Sequence, residues 1–334
     1  MRFHIVISIA LLLLCATVSH ALHAEETPLL TDEFLDRVNR LNGGMWTAGR
    51  TDRTKELTRP AAKRLMGAFL RKTSSLAPRR FSEEELHVQL PDSFEASGKW
   101  PNCPTITEIR DQSDCGSCWA VAAASAMSDR HCTMGGVRDL RISAGDLLSC
   151  CEECGFGCNG GFPEAAWSYY VETGLVSEYC QPYPFPPCAH HVNSTHYSPC
   201  SGDYDTPTCN VSCTNKAIPL IRYKGNSSYS LDGEEHYKRE LFLRGPFEVA
   251  FTVYEDFVAY RGGIYKHVSG NALGGHAVRL VGWGVLNGTP FWKIANSWNS
   301  EWGMNGYFLI ARGLNECDIE AQGSAGTPKV PLTQ

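Results

Sequence analysis

Fifteen cysteines and eleven histidines give this 334-residue chain ample thiol and imidazole chemistry, and one cysteine is set apart by its surroundings. In Asp111-Gln112-Ser113-Asp114-Cys115-Gly116-Ser117-Cys118-Trp119-Ala120 the second cysteine precedes an alanine-rich run, Val121 to Cys132, that no Pro or Gly interrupts. Alanine is the best helix former, so the spacing predicts a helix over 118–132, with Ser117 as N-cap and Cys118 in the first turn. A thiol there faces unpaired backbone N–H groups and the positive end of the helix dipole, which stabilise a thiolate and lower the pKa. The chemistry this suits is nucleophilic attack, which requires a base for the thiol and an orienting group for the base.

Among the histidines, His276 stands out between Gly274-Gly275 and Ala277-Val278-Arg279-Leu280-Val281. There it would open a strand beside small residues that let another backbone approach. Further on, Asn296-Ser297-Trp298-Asn299-Ser300-Glu301-Trp302-Gly303 offers an amide at a strand end with large indoles nearby. By residue type alone, other readings stand alongside. His276 could be a core histidine. Cys115-Gly116-Ser117-Cys118 is a C-x-x-C, as in thiol–disulfide oxidoreductases, although the βαβ context of that motif is missing. Cys150, Cys151, Cys154 and Cys158 could hold zinc, which an oxidising compartment disfavours.

The rest of the chain must position these groups. Net charge is −6 with no Lys/Arg run, so nucleic acid has no electrostatic footprint. Arg2, an apolar core from Ile5 to Ala16 and Ser19-His20-Ala21 read as a signal peptide over 1–21. That run is short for a membrane span and no later stretch qualifies, so no membrane partner is expected. Export agrees with the fourteen remaining cysteines, expected mostly as disulfides. It also agrees with four N-x-S/T sequons at Asn193, Asn210, Asn226 and Asn287.

Residues 22–89 hold no cysteine. Thr31 to Asn39 reads as an N-capped amphipathic helix with Phe34, Leu35, Val38 and Leu41 on one side, and a second helical run covers 61–70. A charged, cysteine-free helical segment between a signal and a cysteine-dense body suggests a removable pro-region. Residues 103–213 carry 13 cysteines, with short helices expected over 141–148 and 162–171. After about 218, a helix over 234–244 stops at Gly245-Pro246, and Phe247 to Tyr254 alternates as a strand. Further strands are expected over 263–268, 275–285, 290–296 and 306–312, with Asn287-Gly288 as a hairpin turn. The body is thus helix-rich first and antiparallel β second.

The Cys-Gly-Ser-Cys-Trp run, the Gly-Gly-His-Ala before a β run and the Asn-Ser-Trp-x-x-x-Trp-Gly block, in that order, resemble the signature blocks of papain-like cysteine proteases, within them the cathepsin B group. The resemblance spans essentially the whole chain. It implies an α+β fold with a helical half at about 100–218, a β-barrel-like half at about 219–334 and a cleft between them. The mature peptidase would be 90–334, behind an inhibitory propeptide at 22–89 matched by Thr31 to Asn39, Trp46 and Ala62 to Leu70.

The roles it implies are specific. Cys118 is the nucleophile, His276 the base and then the acid, Asn296 the orienting amide and Trp298 its shield. Gln112 joins the Cys118 backbone N–H in holding the oxyanion. Gly160 and Gly161 pair with substrate backbone, Gly275 also meets substrate, Phe162 and Pro163 form part of the S2 wall, and Gln322 forms its floor. The group carries glutamate at that floor, so Gln322 implies a weakened preference for Arg at P2. His190-His191, inside the Cys188–Cys200 bracket, resemble an occluding loop: His191 would bind a substrate's C-terminal carboxylate, and His190 would pair with Asp111. That implies dipeptidyl carboxypeptidase as well as endopeptidase activity, favoured at acid pH. The bracket is one residue longer than the pattern and lacks its arginine; His196 is the nearest cation, with Glu301 where the pattern has aspartate.

The implied bridges are Cys103–Cys132, Cys115–Cys158, Cys150–Cys209, Cys151–Cys154, Cys180–Cys213 and Cys188–Cys200, leaving Cys118 and Cys317 as thiols. The resemblance implies no cofactor or metal. Its partners would be protein and peptide substrates, the chain's own propeptide and cystatin-type inhibitors. It further implies a monomer sent through the secretory pathway to a lysosome-like acidic vesicle, or secreted. A homologue that has lost catalysis and only binds is the remaining rival, against which Cys118, His276, Asn296 and Gln112 all speak.

Overall fold

The computed structural model describes residues 27–50, 56–190, 194–200, 202 and 204–330. The signal-peptide reading, His191 and Asn193 lie outside the described residues.

The helices are α1 (Asp32–Leu41), α2 (Arg59–Arg64), α3 (Glu83–His87), α4 (Ala96–Lys99), α5 (Cys118–Thr133), α6 (Ala144–Cys150), α7 (Pro163–Glu172), α8 (Glu234–Arg244) and α9 (Glu255–Val258). The strands are β1 (Trp46–Ala48), β2 (Phe94–Glu95), β3 (Gly225–Leu231), β4 (Phe247–Tyr254), β5 (Tyr260–Tyr265), β6 (Ala272–Leu286), β7 (Thr289–Ala295), β8 (Tyr307–Ala311) and β9 (Gly323–Pro328). Together they form an α+β arrangement, a helix-rich half followed by a mostly antiparallel sheet, as expected.

The strand order is β1-β5-β8-β7-β6-β4-β9-β3, with β2 also pairing β6. Pairing is antiparallel except for β5 with β8, which run parallel, so the sheet is mixed where the alternation pattern suggested purely antiparallel. The β6–β7 hairpin turns through Asn287 and Gly288, both at positive φ, as that dipeptide favours. Strands β1, β3 and β9 escaped the sequence reading: they are short or rich in Ser and Gly, so their composition is not strand-like.

Helix α5 separates two cores. One is the large aromatic and aliphatic core of the β half; the other is an Ala-rich core with Trp119, Trp167 and Leu147. Residues 118 to 131 of α5 are all buried, which explains why small alanines replace an amphipathic pattern. Its far end is fastened to the β half by paired charges. Arg130 donates to Glu240 Oε1 (2.8 Å) and to the carbonyls of Pro246 and Gly326, and Arg279 donates to Asp129 Oδ2 (2.6 Å). Such pairs hold orientation because most of their other donors also find partners: Arg279 Nη1 and Nη2 donate to the carbonyls of Thr105, Ile106 and Glu108 as well. Six disulfides, Cys103–Cys132, Cys115–Cys158, Cys150–Cys209, Cys151–Cys154, Cys180–Cys213 and Cys188–Cys200, staple the loop-rich half.

The 27–89 stretch docks on the body. Strand β1 pairs β5, and Trp46 Nε1 donates to the Lys266 carbonyl at 3.0 Å. Helix α1 buries Phe34, Leu35 and Val38, whereas Leu41 is exposed because it falls in the last turn, past the packed stripe. Arg79 and Glu85 join an ion-pair network with Glu240 and Arg244 of α8. The expected helix over 61–70 stops at Arg64; the Leu65 and Met66 amides close a last turn, and at Gly67, Ala68 and Phe69 the backbone bonds to the body instead of to itself.

Candidate active site

Cys118 is the first residue of α5 and is fully buried. Ser117 sits at the N-cap position, but its hydroxyl does not cap the helix. It is within 2.6 Å of the Tyr183 hydroxyl, which diverts it; the Ala120 amide is taken by the Ser117 carbonyl, and the Trp119 amide acts on the cysteine. The Cys118 Sγ accepts from the Ala277 N–H at 3.5 Å, which brings β6 against the helix start. Cys115 is bonded to Cys158, so the C-x-x-C pair is not a dithiol, and Cys118 and Cys317 are the free thiols among the described residues. Cys150, Cys151, Cys154 and Cys158 are likewise consumed in bridges, so they offer no thiolates to zinc.

His276 lies inside β6, fully buried, with Nε2 at 2.7 Å from Asn296 Oδ1. The Ser297 N–H donates to the same oxygen at 2.8 Å, which fixes Oδ1 as the acceptor. Nε2 must therefore carry the proton, leaving Nδ1 as the basic nitrogen. Nδ1 is buried and makes no well-formed hydrogen bond. Asn296 follows the last residue of β7, and the Trp298 indole packs 5.0 Å from the His276 ring, excluding water from that bond.

Gln112 reaches the same spot from the loop before the helix. Its Oε1 accepts from Ser297 Oγ (2.7 Å) and Trp298 Nε1 (3.2 Å), so its NH₂ group must point the other way. That NH₂ donates to the carbonyls of Cys115 (2.9 Å) and Leu65 (3.1 Å). Sequence reading missed Ser297 as the residue that orients both amides; a serine beside a conspicuous Asn-Ser-Trp block gives no signal of its own.

A peptide from this same chain fills the groove. Gly161 N–H donates to the Gly67 carbonyl, Phe69 N–H to the Gly161 carbonyl and Ala68 N–H to the Gly275 carbonyl, each at 2.9 Å. The Phe69 ring packs 5.2 Å from that of Phe162, the Arg71 guanidinium lies 3.9 Å over Phe162, and Gln322 Nε2 donates to the Arg71 carbonyl at 2.9 Å. Pro163 starts α7 beside them. At Gly160, held at φ +109°, a Cβ would stand 2.8 Å from the Phe69 ring.

This cover reverses the electrostatics expected of an open helix terminus. Burial pushes the Cys118 thiol up to about 12, although the amides of Ala277 and Gly67 pull the other way. Burial also holds the His276 imidazole down to about 4, only partly offset by its bond to Asn296. In the covered form both groups are neutral, so the thiolate that the helix start favours is absent until the groove is opened.

The described residues of the 188–200 bracket share a cavity with Arg64, Leu65 and Asp114, through Ala189, His190, Pro199 and Cys200. His190 Nε2 lies 2.6 Å from Asp111 Oδ1 and is buried. Asp111 also accepts from the Ser113 and Cys188 N–H groups and from Asn299 Nδ2, so this carboxylate is a shared anchor. His196 Nδ1 pairs with Glu301 at 2.9 Å on the surface, where such a bond contributes little.

The sequence profile described as "Papain family cysteine protease" matches residues 90–327. Over 325 residues the chain is 45% identical to "Cathepsin B-like cysteine proteinase 6" of Caenorhabditis elegans, covering 92% of this chain and 86% of that protein. It is 42% identical over 314 residues to "Cathepsin B-like cysteine proteinase" of Schistosoma japonicum, covering 90% and 91%. Among solved structures, "proCathepsin B S9 from Trypanosoma congolense" superposes with a TM-score of 0.85 at 56% identity, covering 91% of this chain and all of that one.

Proposed function

The chain belongs to the papain family of cysteine proteases and is a cathepsin B-like cysteine protease, and from that premise we propose that Cys118, His276, Asn296 and Gln112 carry its chemistry. The observation that carries this reading is a peptide carbonyl, that of Leu65, accepting from the Gln112 amide in the groove that holds Cys118 and His276. With the groove open, His276 Nδ1 takes the Cys118 proton, and the thiolate adds to a substrate carbonyl. The oxyanion receives hydrogen bonds from Gln112 Nε2 and the Cys118 N–H. The imidazolium then gives its proton to the leaving amine as the C–N bond breaks. Water, deprotonated by His276, releases the acid and restores the thiol. Asn296 keeps the ring in the tautomer this requires, and Trp298 keeps water from their bond.

Residues 1–21 act as a signal peptide, 22–89 as an inhibitory pro-segment and 90–334 as the mature peptidase; the family match starting at residue 90 supports that division. Acid should loosen the pro-segment. Burial in the covered form holds the His276 pKa down to about 4. A group lowered in this way favours the covered form above the pKa it has when uncovered, and that contribution is lost as pH falls toward 4. The excised 22–89 segment should therefore inhibit more weakly at pH 5 than at pH 7, by roughly 10-fold or more. The Cys118 shift acts in the opposite direction: it favours the covered form below the thiol's uncovered pKa and fades as pH rises above it. An inhibition constant that stays flat between pH 7 and 5 would rule out this account of release.

The 188–200 loop makes the enzyme a dipeptidyl carboxypeptidase as well as an endopeptidase, with His191 as carboxylate ligand and the His190–Asp111 pair as latch. The buried His190–Asp111 contact supports it. The test compares wild type with His191→Ala on peptides with free and amidated C-termini at pH 5. Dipeptide release should fall by about 10-fold or more, in line with losing a charged contact, while cleavage of amidated peptides persists. Equal losses on both substrates would remove the loop from exopeptidase action. The same reading makes the protein a monomer, open to cystatin-type inhibitors and active in lysosome-like vesicles. Asn210, Asn226 and Asn287 are exposed, which supports glycan attachment there.

A further inference from the structure

Glu164, the second residue of α7, is 7% exposed, yet among the described residues its polar partners all come from the pro-segment. Ser74 Oγ and the Ser75 N–H donate to Oε2 at 2.8 and 3.1 Å, and Arg71 Nη1 lies 3.0 Å from Oε1 without forming a well-aligned hydrogen bond. A first-turn acid often just complements the helix dipole from the surface. This one is buried, and it lines a cavity with Phe69, Arg71, Pro163 and Gln322. When the pro-segment leaves, the carboxylate loses these partners and opens onto the space vacated by Phe69, Arg71 and Ser74, where it can receive another cationic group. Gln322, on the same cavity, is neutral and spends its NH₂ on a backbone carbonyl. The Arg71 seat combines an aromatic face, Phe162 at 3.9 Å, with a carboxylate at 3.0 Å, the two features that select a guanidinium.

We propose that Glu164 is a specificity-determining residue that selects a basic side chain on the N-terminal side of the scissile bond, in the seat Arg71 occupies in the covered form. This rests on the reading above that substrates lie along Gly160, Gly161 and Phe162. It runs against the expectation, drawn from Gln322 alone, that preference for Arg is weakened: Glu164 lines the same cavity as Gln322.

The test uses mature enzyme and fluorogenic peptides that differ only in Arg or its neutral isostere citrulline at each position N-terminal to the cleaved bond. Rates are normalised to active sites titrated with a thiol-alkylating epoxide. Wild type should prefer Arg at one position by about 10-fold, as expected for a charged group left unpaired by the isostere. Glu164→Gln should bring that ratio near one, and Gln322→Glu placed in the Glu164→Gln background should restore it. A Glu164→Gln enzyme that keeps the wild-type ratio, or a wild type with no preference, overturns the proposal. Wild type whose Cys118 resists the epoxide after pro-segment removal overturns the site reading as well, and so separates the two failures.

Discussion

Changing Cys118 to Ser in the mature enzyme is expected to lower kcat/KM for any peptide by about 10⁴-fold or more, because a hydroxyl at the same helix start stays protonated where a thiol ionises. His276→Ala should cost as much, and the double variant scarcely more, since the two groups act as one unit and losses within a unit do not add. The structure supplies the reason: Nε2 is committed to Asn296, leaving Nδ1 as the nitrogen that can take the thiol proton. The measurement needs the pro-segment removed by an added protease, because neither variant could process itself. A Cys118→Ser enzyme that retains more than a hundredth of wild-type turnover would mean that another group attacks the carbonyl.

The second large effect concerns the cover. A Cβ on Gly67 would lie 1.8 Å from the Gly116 carbonyl oxygen and 2.3 Å from its carbon, so any side chain there must push the segment out of the groove. Gly67→Val in the full-length chain should raise the rate of epoxide labelling of Cys118, before any cleavage, by about 100-fold, the scale of a forced overpacking of a few kcal/mol. It should do so while Trp46 and the Arg79–Glu85 anchors keep the segment attached. Unchanged labelling would show that residues 65–70 are not what shields the thiol.

The residues proposed to carry the chemistry were legible because each sits in a distinctive local frame. Cys118 opens a glycine-free alanine run, His276 follows a Gly-Gly pair, and Asn296 lies between a strand and two indoles. The helix over 118–133 and strand β4 were legible for the same reason, strong periodicity or propensity over many residues. Helix 59–64 was overextended in the sequence reading because Ala62 to Leu70 has good helix formers. Backbone bonds to Gly161 and Gly275, invisible to propensity, outcompete the helix there. The neutral state of Cys118 and His276 was not legible either, since it depends on a segment from far earlier in the chain lying over them. Ser297 and Glu164 are ordinary residue types whose importance comes only from what the fold sets beside them.

The extended stretch over Gly67 and its anchors at Arg79 and Glu85 belong to the same polypeptide as the groove they occupy. While the chain is whole, the occupant is confined near its seat at an effective concentration of order millimolar, independent of how dilute the protein is. One cut near residue 90 turns that confinement into an ordinary bimolecular encounter. From then on the strength of inhibition is set by the volume of the compartment, so the same severed peptide that still silences a crowded vesicle would release the enzyme on dilution.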